Sequence, residues 1–178
     1  MLPRPLQSLR AALAAIVLLS LPPDIAGAGE LRGRVVGITD GDTLTLLMED
    51  RREVRVRLAE IDTPERSQPH GDRARMALSA LAFGEAVRAE AVDTDRYGRT
   101  VARVHSAGRD VNAEMVQRGA AWVYRRYSRD PELPRLEEEA RAARRGLWGL
   151  PEAERVPPWE VARDPSVTGA QAPQRGAA

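Results

Sequence analysis

Between Leu31 and Ile61 the apolar residues fall into three short groups: Val35, Val36 and Ile38; Leu44, Leu46 and Leu47; and Val54, Val56 and Leu58. Each group is too short for a helix, and its spacing is close to two, the repeat of a strand that buries one face. The polar intervals, Asp40-Gly41-Asp42 and Glu49 to Arg52, hold residues that tolerate tight reversals and left-handed backbone. Three antiparallel strands in a meander follow. Glu85 to Val92 and Thr100 to His105 alternate in the same way around a turn at Tyr97-Gly98, which adds two more strands.

Helical spacing appears in three places. Ala74, Met76, Ala77, Ala80 and Leu81 lie between Gly71 and Gly84, with Asp72 as the expected cap and Gly84 as the stop. Asn112 is the expected cap of a second, two-turn helix, flanked by Val111 and Val116 as a hydrophobic staple and closed by Gly119. A third begins at Asp130-Pro131 and carries Leu133, Leu136, Ala140, Ala143 and Leu147 as its apolar stripe, with Arg144 and Arg145 before Gly146. Five short strands with a helix after the third predict an α+β protein, a β-barrel with helices: a partly closed five-stranded OB-fold-type barrel carrying three α-helices.

The ends read differently. Arg4 and Arg10 precede the apolar run Ala11 to Leu21, then a Pro22-Pro23 break and the small residues Ala26-Gly27-Ala28. That order predicts a signal peptide over residues 1–28, cleaved after Ala28. The run is shorter than the roughly 20 residues that span a bilayer, and the chain has no cysteine to carry a lipid. Export to the periplasm or beyond, with no stable membrane association after cleavage, is the expectation. The folded domain should occupy residues 29–150. Residues 151–178, rich in Pro and Ala, are expected to form a poorly ordered tail in which only Pro157-Pro158-Trp159 docks. The size and the lack of a spare apolar helix face favour a monomer.

Removing residues 1–28 takes away Arg4, Arg10 and Asp24 and leaves acidic and basic residues equal in number. A polyanionic partner must therefore be held by local cations, and every one of these is an arginine, since the chain has no lysine. Three polar clusters stand out. Asp40-Gly41-Asp42-Thr43 lies where one strand turns into the next. Arg55 to Glu65 places arginines on alternate strand positions and acids at the strand's end. Asp93 to Arg99 is a polar turn that presents Arg99. If the strand ending near Leu58 pairs with the one beginning at Asp42, then Asp42 and Asp62 share one end of the sheet. Paired carboxylates with a nearby carbonyl suit a hard cation such as calcium.

These clusters, Asp-Gly-Asp-Thr, Arg-x-x-x-x-Asp-Thr-Pro-Glu and Asp-x-Tyr-Gly-Arg in that order, resemble the staphylococcal nuclease (thermonuclease-like) family over about residues 31 to 150. The resemblance implies that Asp42, Asp62 and the Thr63 carbonyl bind one Ca2+ ion, with Asp40 close by as a secondary acid. It further implies that Glu65 activates water, and that Arg57 and Arg99 hold the scissile phosphate. Tyr127 matches a family tyrosine of the base pocket, whereas Arg125 stands where a second is expected. The implied activity is calcium-dependent, sugar-nonspecific hydrolysis of DNA and RNA, preferring single strands and leaving 3′-phosphate ends. The competing reading, a non-catalytic barrel that binds nucleic acid or protein, would be expected to lack some of Asp42, Arg57, Asp62, Glu65 and Arg99. Trp122, Tyr124 and Trp148 are read as packing residues.

Overall fold

Residues 29–161 are described in the computed structural model; the expected signal peptide and residues 162–178 lie outside the described residues. The order is β1 (Glu30–Ile38), β2 (Thr43–Met48), β3 (Glu53–Leu58), β4 (Ile61–Asp62), α1 (Gly71–Ala82), β5 (Ala86–Thr94), β6 (Thr100–Ser106), β7 (Arg109–Asp110), α2 (Val111–Gln117), β8 (Trp122–Val123) and α3 (Glu132–Ala142). Two 3-10 turns, Gly146–Gly149 and Glu152–Glu154, lead to a last helical turn, α4 (Pro158–Val161).

The sheet runs β3-β2-β1-β5-β6-β7, antiparallel throughout that order. It closes on itself where β3 meets β6 in parallel, Val56 opposite Thr100 and Leu58 opposite Ala102. The result is the expected five-stranded barrel, with β7 as an added edge. Closure removes the exposed strand edges that would otherwise template aggregation. Val35, Leu44, Leu46, Val56, Leu58, Ala89, Ala102 and Val104 are buried. They form one core with Leu78 and Leu81 of α1, Met115 and Val116 of α2, and Leu133 and Leu136 of α3. A smaller cluster of Trp122, Ala140, Leu147 and Trp148 sits under the end of the third helix.

Several local expectations are corrected. The first helix is not capped by Asp72: it begins at Gly71 after His70, whose backbone is left-handed, and no side chain caps it. Met76 points to solvent, and the buried stripe is Ala74, Leu78, Leu81 and Ala82. Asp110, not Asn112, caps α2, accepting from the Ala113 N–H at 3.0 Å. Asn112 is instead wholly buried: its amide donates to the carbonyls of Ala59 and Ala102 and accepts from the Val104 N–H. The third helix ends at Ala142, so Ala143 is exposed, and Leu147 reaches the apolar cluster from a 3-10 turn.

Past Leu150 the chain is exposed through Glu154 and then packs from Arg155 to Trp159, with Pro158 buried. Trp159 stacks on Tyr124, centroids 5.1 Å apart and planes 4° from parallel, and meets Trp122 edge-on at 6.3 Å. No helix among the described residues is long and apolar enough to cross a membrane.

Candidate active site

The register of β2 on β3 builds the site. Thr43 lies opposite Arg57, and the Leu58 N–H donates to the Asp42 carbonyl at 2.8 Å, so Asp42 is held beside the end of β3. The chain then turns through Glu60, at φ 64, into β4, whose pairing with β8 sets Asp62 opposite Trp122. Asp42 and Asp62 thus meet at one end of the barrel. The Arg57 guanidinium lies between them, its Nη2 2.8 Å from Asp62 Oδ1 and 3.3 Å from Asp42 Oδ2. The expected reason for Gly41 was left-handed backbone, but its φ is not positive. The need is close approach: a Cβ there would lie 2.7 Å from Thr63 Oγ1 and 2.8 Å from Ala74 Cβ. A glycine lets the Asp40–Asp42 turn press against the Thr63 segment and α1.

Electrostatically the cluster has more acid than base. Burial pushes the Asp42 carboxyl up, and the neighbouring Asp62 charge adds to this; Arg57 pulls it down, and so does the hydrogen bond donated by Thr43 Oγ1. Asp62 is raised too, by burial first and then by Glu65, again against the pull of Arg57. Asp40 is raised by burial and by the Asp42 charge, and its Oδ1 accepts from the Asp42 N–H at 3.1 Å. For Arg57, burial alone would lower the value, but Asp42 and Asp62 reverse that and hold it above its ordinary value. Three crowded carboxylates share one partly buried guanidinium. A surplus of buried negative charge is the condition under which a cation gains most.

Arg99 enters from the turn before β6. Asp95 shapes that turn, accepting from the N–H groups of Tyr97 and Arg99 and from Arg99 Nε at 2.6 Å. Burial would raise the Asp95 carboxyl, but these Arg99 and Tyr97 bonds bring it below the usual carboxylate range. Arg99 Nη1 donates across to Thr43 Oγ1 at 3.2 Å, which places it beside the Asp42 strand. Glu65 is exposed on the loop between β4 and α1. Its backbone N–H donates to Gln68 Oε1 at 2.7 Å, and its carbonyl accepts from the Gln68 N–H at 2.8 Å. Asp40, Asp42, Arg57, Asp62, Thr63, Glu65 and Arg99 all line one cleft of about 560 Å³.

Tyr127 does not line that cleft. It stands 56% exposed in an adjoining pocket of about 700 Å³, edge-on to Tyr124 at 4.9 Å, and Arg57, Tyr97, Arg99 and Tyr124 border both spaces. Trp122 and Trp148 are buried as expected, but Tyr124 is a wall of the cleft together with Trp159 and Pro158. Arg125 points away and pairs with buried Glu137 at 2.7 Å. The expected docking of Pro157-Pro158-Trp159 did not place Trp159 at the cleft, and nothing in the sequence marked Gln68, whose bond to the Val156 carbonyl spans the fold.

The donors fit a hard cation in a particular way. No group of three or more acidic or histidine side chains among the described residues is arranged to hold an ion alone. Asp42 and Asp62 would supply the charge, and backbone, water or ligand oxygens the rest, which matches the all-oxygen, flexible shell of calcium.

The sequence pattern described as "Staphylococcal nuclease homologue" matches residues 55–149. Protein ParB of Escherichia coli is 48% identical over 167 residues, covering 88% of this chain and 91% of its own length. Micrococcal nuclease of Shigella flexneri is 43% identical over 169 residues, covering 89% of this chain and 94% of its own length. An uncharacterized endonuclease of Escherichia coli O157:H7 is 44% identical over 131 residues, 73% of this chain and 84% of its own length.

Proposed function

Since the chain belongs to the staphylococcal nuclease family, we propose that it is an exported, calcium-dependent nuclease. It would hydrolyse phosphodiester bonds of DNA and RNA, with a preference for single strands and 3′-phosphate products. The observation that carries this reading is the single cleft in which Arg57 bridges Asp42 and Asp62 while Arg99 and Glu65 face the same space.

In this reading Asp42, Asp62 and the Thr63 carbonyl would hold one calcium ion, with Asp40 close by on the same cleft. The ion, when bound, supplies positive charge beside the phosphate and lowers the cost of charge build-up during attack. Arg57 and Arg99 hold the non-bridging oxygens. Arg57 uses Nη2 on the two aspartates, which leaves the rest of its five-donor fork for phosphate. Both arginines act where negative charge grows most between substrate and transition state. Glu65, solvent-facing and held by its backbone and not by its carboxylate, is free to take the proton of the attacking water. Tyr127, Tyr124 and Tyr97 border the space where the neighbouring nucleotide would lie. Export rests on the charged, apolar and small-residue zones of residues 1–28, and the protein would act as a monomer.

Cleavage of single-stranded DNA by the chain from Gly29 onward, with calcium, magnesium or a chelator, tests this. Calcium-dependent cleavage to 3′-phosphate ends is expected, with Glu65→Ser slower by roughly 10²–10⁴-fold. Cleavage that persists in chelator would overturn the metal assignment, and a fully active Glu65→Ser variant would overturn the base.

A further inference from the structure

We propose that residues 151–161 belong to the active site as a positioning arm, and that Gln68 transmits its docking to Glu65. This rests on the reading of Glu65 as the base.

Gln68 lies on an exposed loop yet is only 6% exposed, and both ends of its side-chain amide are used. Oε1 accepts from the Glu65 N–H at 2.7 Å, and Nε2 donates to the Val156 carbonyl at 3.0 Å. The same residue's N–H donates to the Glu65 carbonyl, and its carbonyl accepts from Gly71, so the loop is a closed turn. Gly71 is required for it, because a Cβ would fall 2.1 Å from the Glu65 carbonyl oxygen. One amide therefore ties the backbone of Glu65 to a strand of chain far along the sequence. That chain is anchored by Trp159, stacked on Tyr124 and edge-on to Trp122, and Arg155 Nε closes its start by donating to the Leu150 carbonyl at 2.7 Å.

The physical consequence is directional. A primary amide has a fixed angle between acceptor and donor, so a shift of Val156 rotates the oxygen that receives the Glu65 N–H. Glu65 has no side-chain partner among the described residues, so its position depends on the backbone alone. A base displaced by about 1 Å can lose on the order of a hundredfold in rate.

The test combines kinetics with amide exchange in the full chain. Gln68→Ala and Trp159→Ala should each lower kcat on single-stranded DNA by roughly ten- to hundredfold with KM changed by less than about twofold. Both should speed exchange of the Glu65 amide. The double variant should be no slower than Gln68→Ala, because the two act on one element, and Trp159→Phe, which keeps a stacking ring, should recover most of kcat. Thermal unfolding checks that each variant is folded. Wild-type kcat and Glu65 protection in folded Trp159→Ala would overturn the arm, as would losses that multiply in the double variant. If Glu65→Ser is inactive while Gln68→Ala and Trp159→Ala are normal, the base stands and the arm fails. A fully active Glu65→Ser removes both.

Discussion

Asn112→Ala separates two accounts of the same residue by their energies. As a helix cap, Asn112 would cost about 1 kcal/mol on truncation. In the structure it is a buried clamp with no exposed area, receiving the Val104 N–H at 3.0 Å and donating to the Ala59 carbonyl at 2.9 Å. Alanine leaves both backbone groups buried without that partner, and each such loss costs about 1–3 kcal/mol. The Ala102 carbonyl, the weaker contact at 3.4 Å, also accepts from the Ala59 N–H and so keeps a partner. The expected loss is therefore about 2–6 kcal/mol, a large part of the roughly 5–15 kcal/mol that holds a domain folded. Urea unfolding followed by tryptophan fluorescence measures it, with Asp110→Ala as the comparison for a true cap. A loss of about 1 kcal/mol or less in Asn112→Ala would refute the clamp. Because Ala59 precedes the turn to Asp62, a surviving variant should also be slower on DNA.

Three further outcomes are expected. Arg57→Lys should lower turnover on single-stranded DNA by roughly a hundredfold, since an ammonium cannot bridge two carboxylates and grip phosphate as a fork does; unchanged rates would make Arg57 a structural ion pair only. Calcium at a hundred times its dissociation constant should add about 2.7 kcal/mol and raise Tm by roughly 5–11 °C, and Asp42→Asn should abolish the shift; an equal shift in that variant would place the ion elsewhere. Asp130, which accepts the Glu132 N–H and pairs with Arg103 at 2.6 Å, has its carboxyl held below the usual range, first by that backbone bond and then by Arg103. Its stabilising effect is present above about pH 4 and lost as pH falls through its lowered value, so the urea-midpoint gap to Asp130→Asn should close in acid; a gap that widened instead would contradict the sign.

The barrel was legible because its strands announce themselves through a short repeat, and a repeat of two fixes which side chains face inward. The closing pair was not, since nothing in β3 or β6 taken alone says that Val56 meets Thr100 in parallel. Helix ends misled for a related reason. Asp110 and Asn112 are both good caps by type, and the flanking Val111 and Val116, arranged as a hydrophobic staple, point to Asn112. What decides is where β7 ends, and that depends on the pairing of His105 with Asp110.

The cleft divides along the same line. Asp42, Arg57 and Asp62 could be grouped from sequence because one antiparallel register, Thr43 opposite Arg57, carries two of them to a common end, and the third follows within a few residues. Arg99 needed the family likeness, since its place depends on the β3–β6 closure. The part of the wall made by Tyr124 and Trp159 could not be placed in this way: docking of Pro157-Pro158-Trp159 was expected but not where, because α4 is one turn, too short to show a period, and the chain just before it is tied to the loop by a single amide across the fold. Chemistry at strand ends repeats local rules and can be read early, whereas the part that holds the base in place is made by contact between distant segments and becomes visible only when the chain is folded.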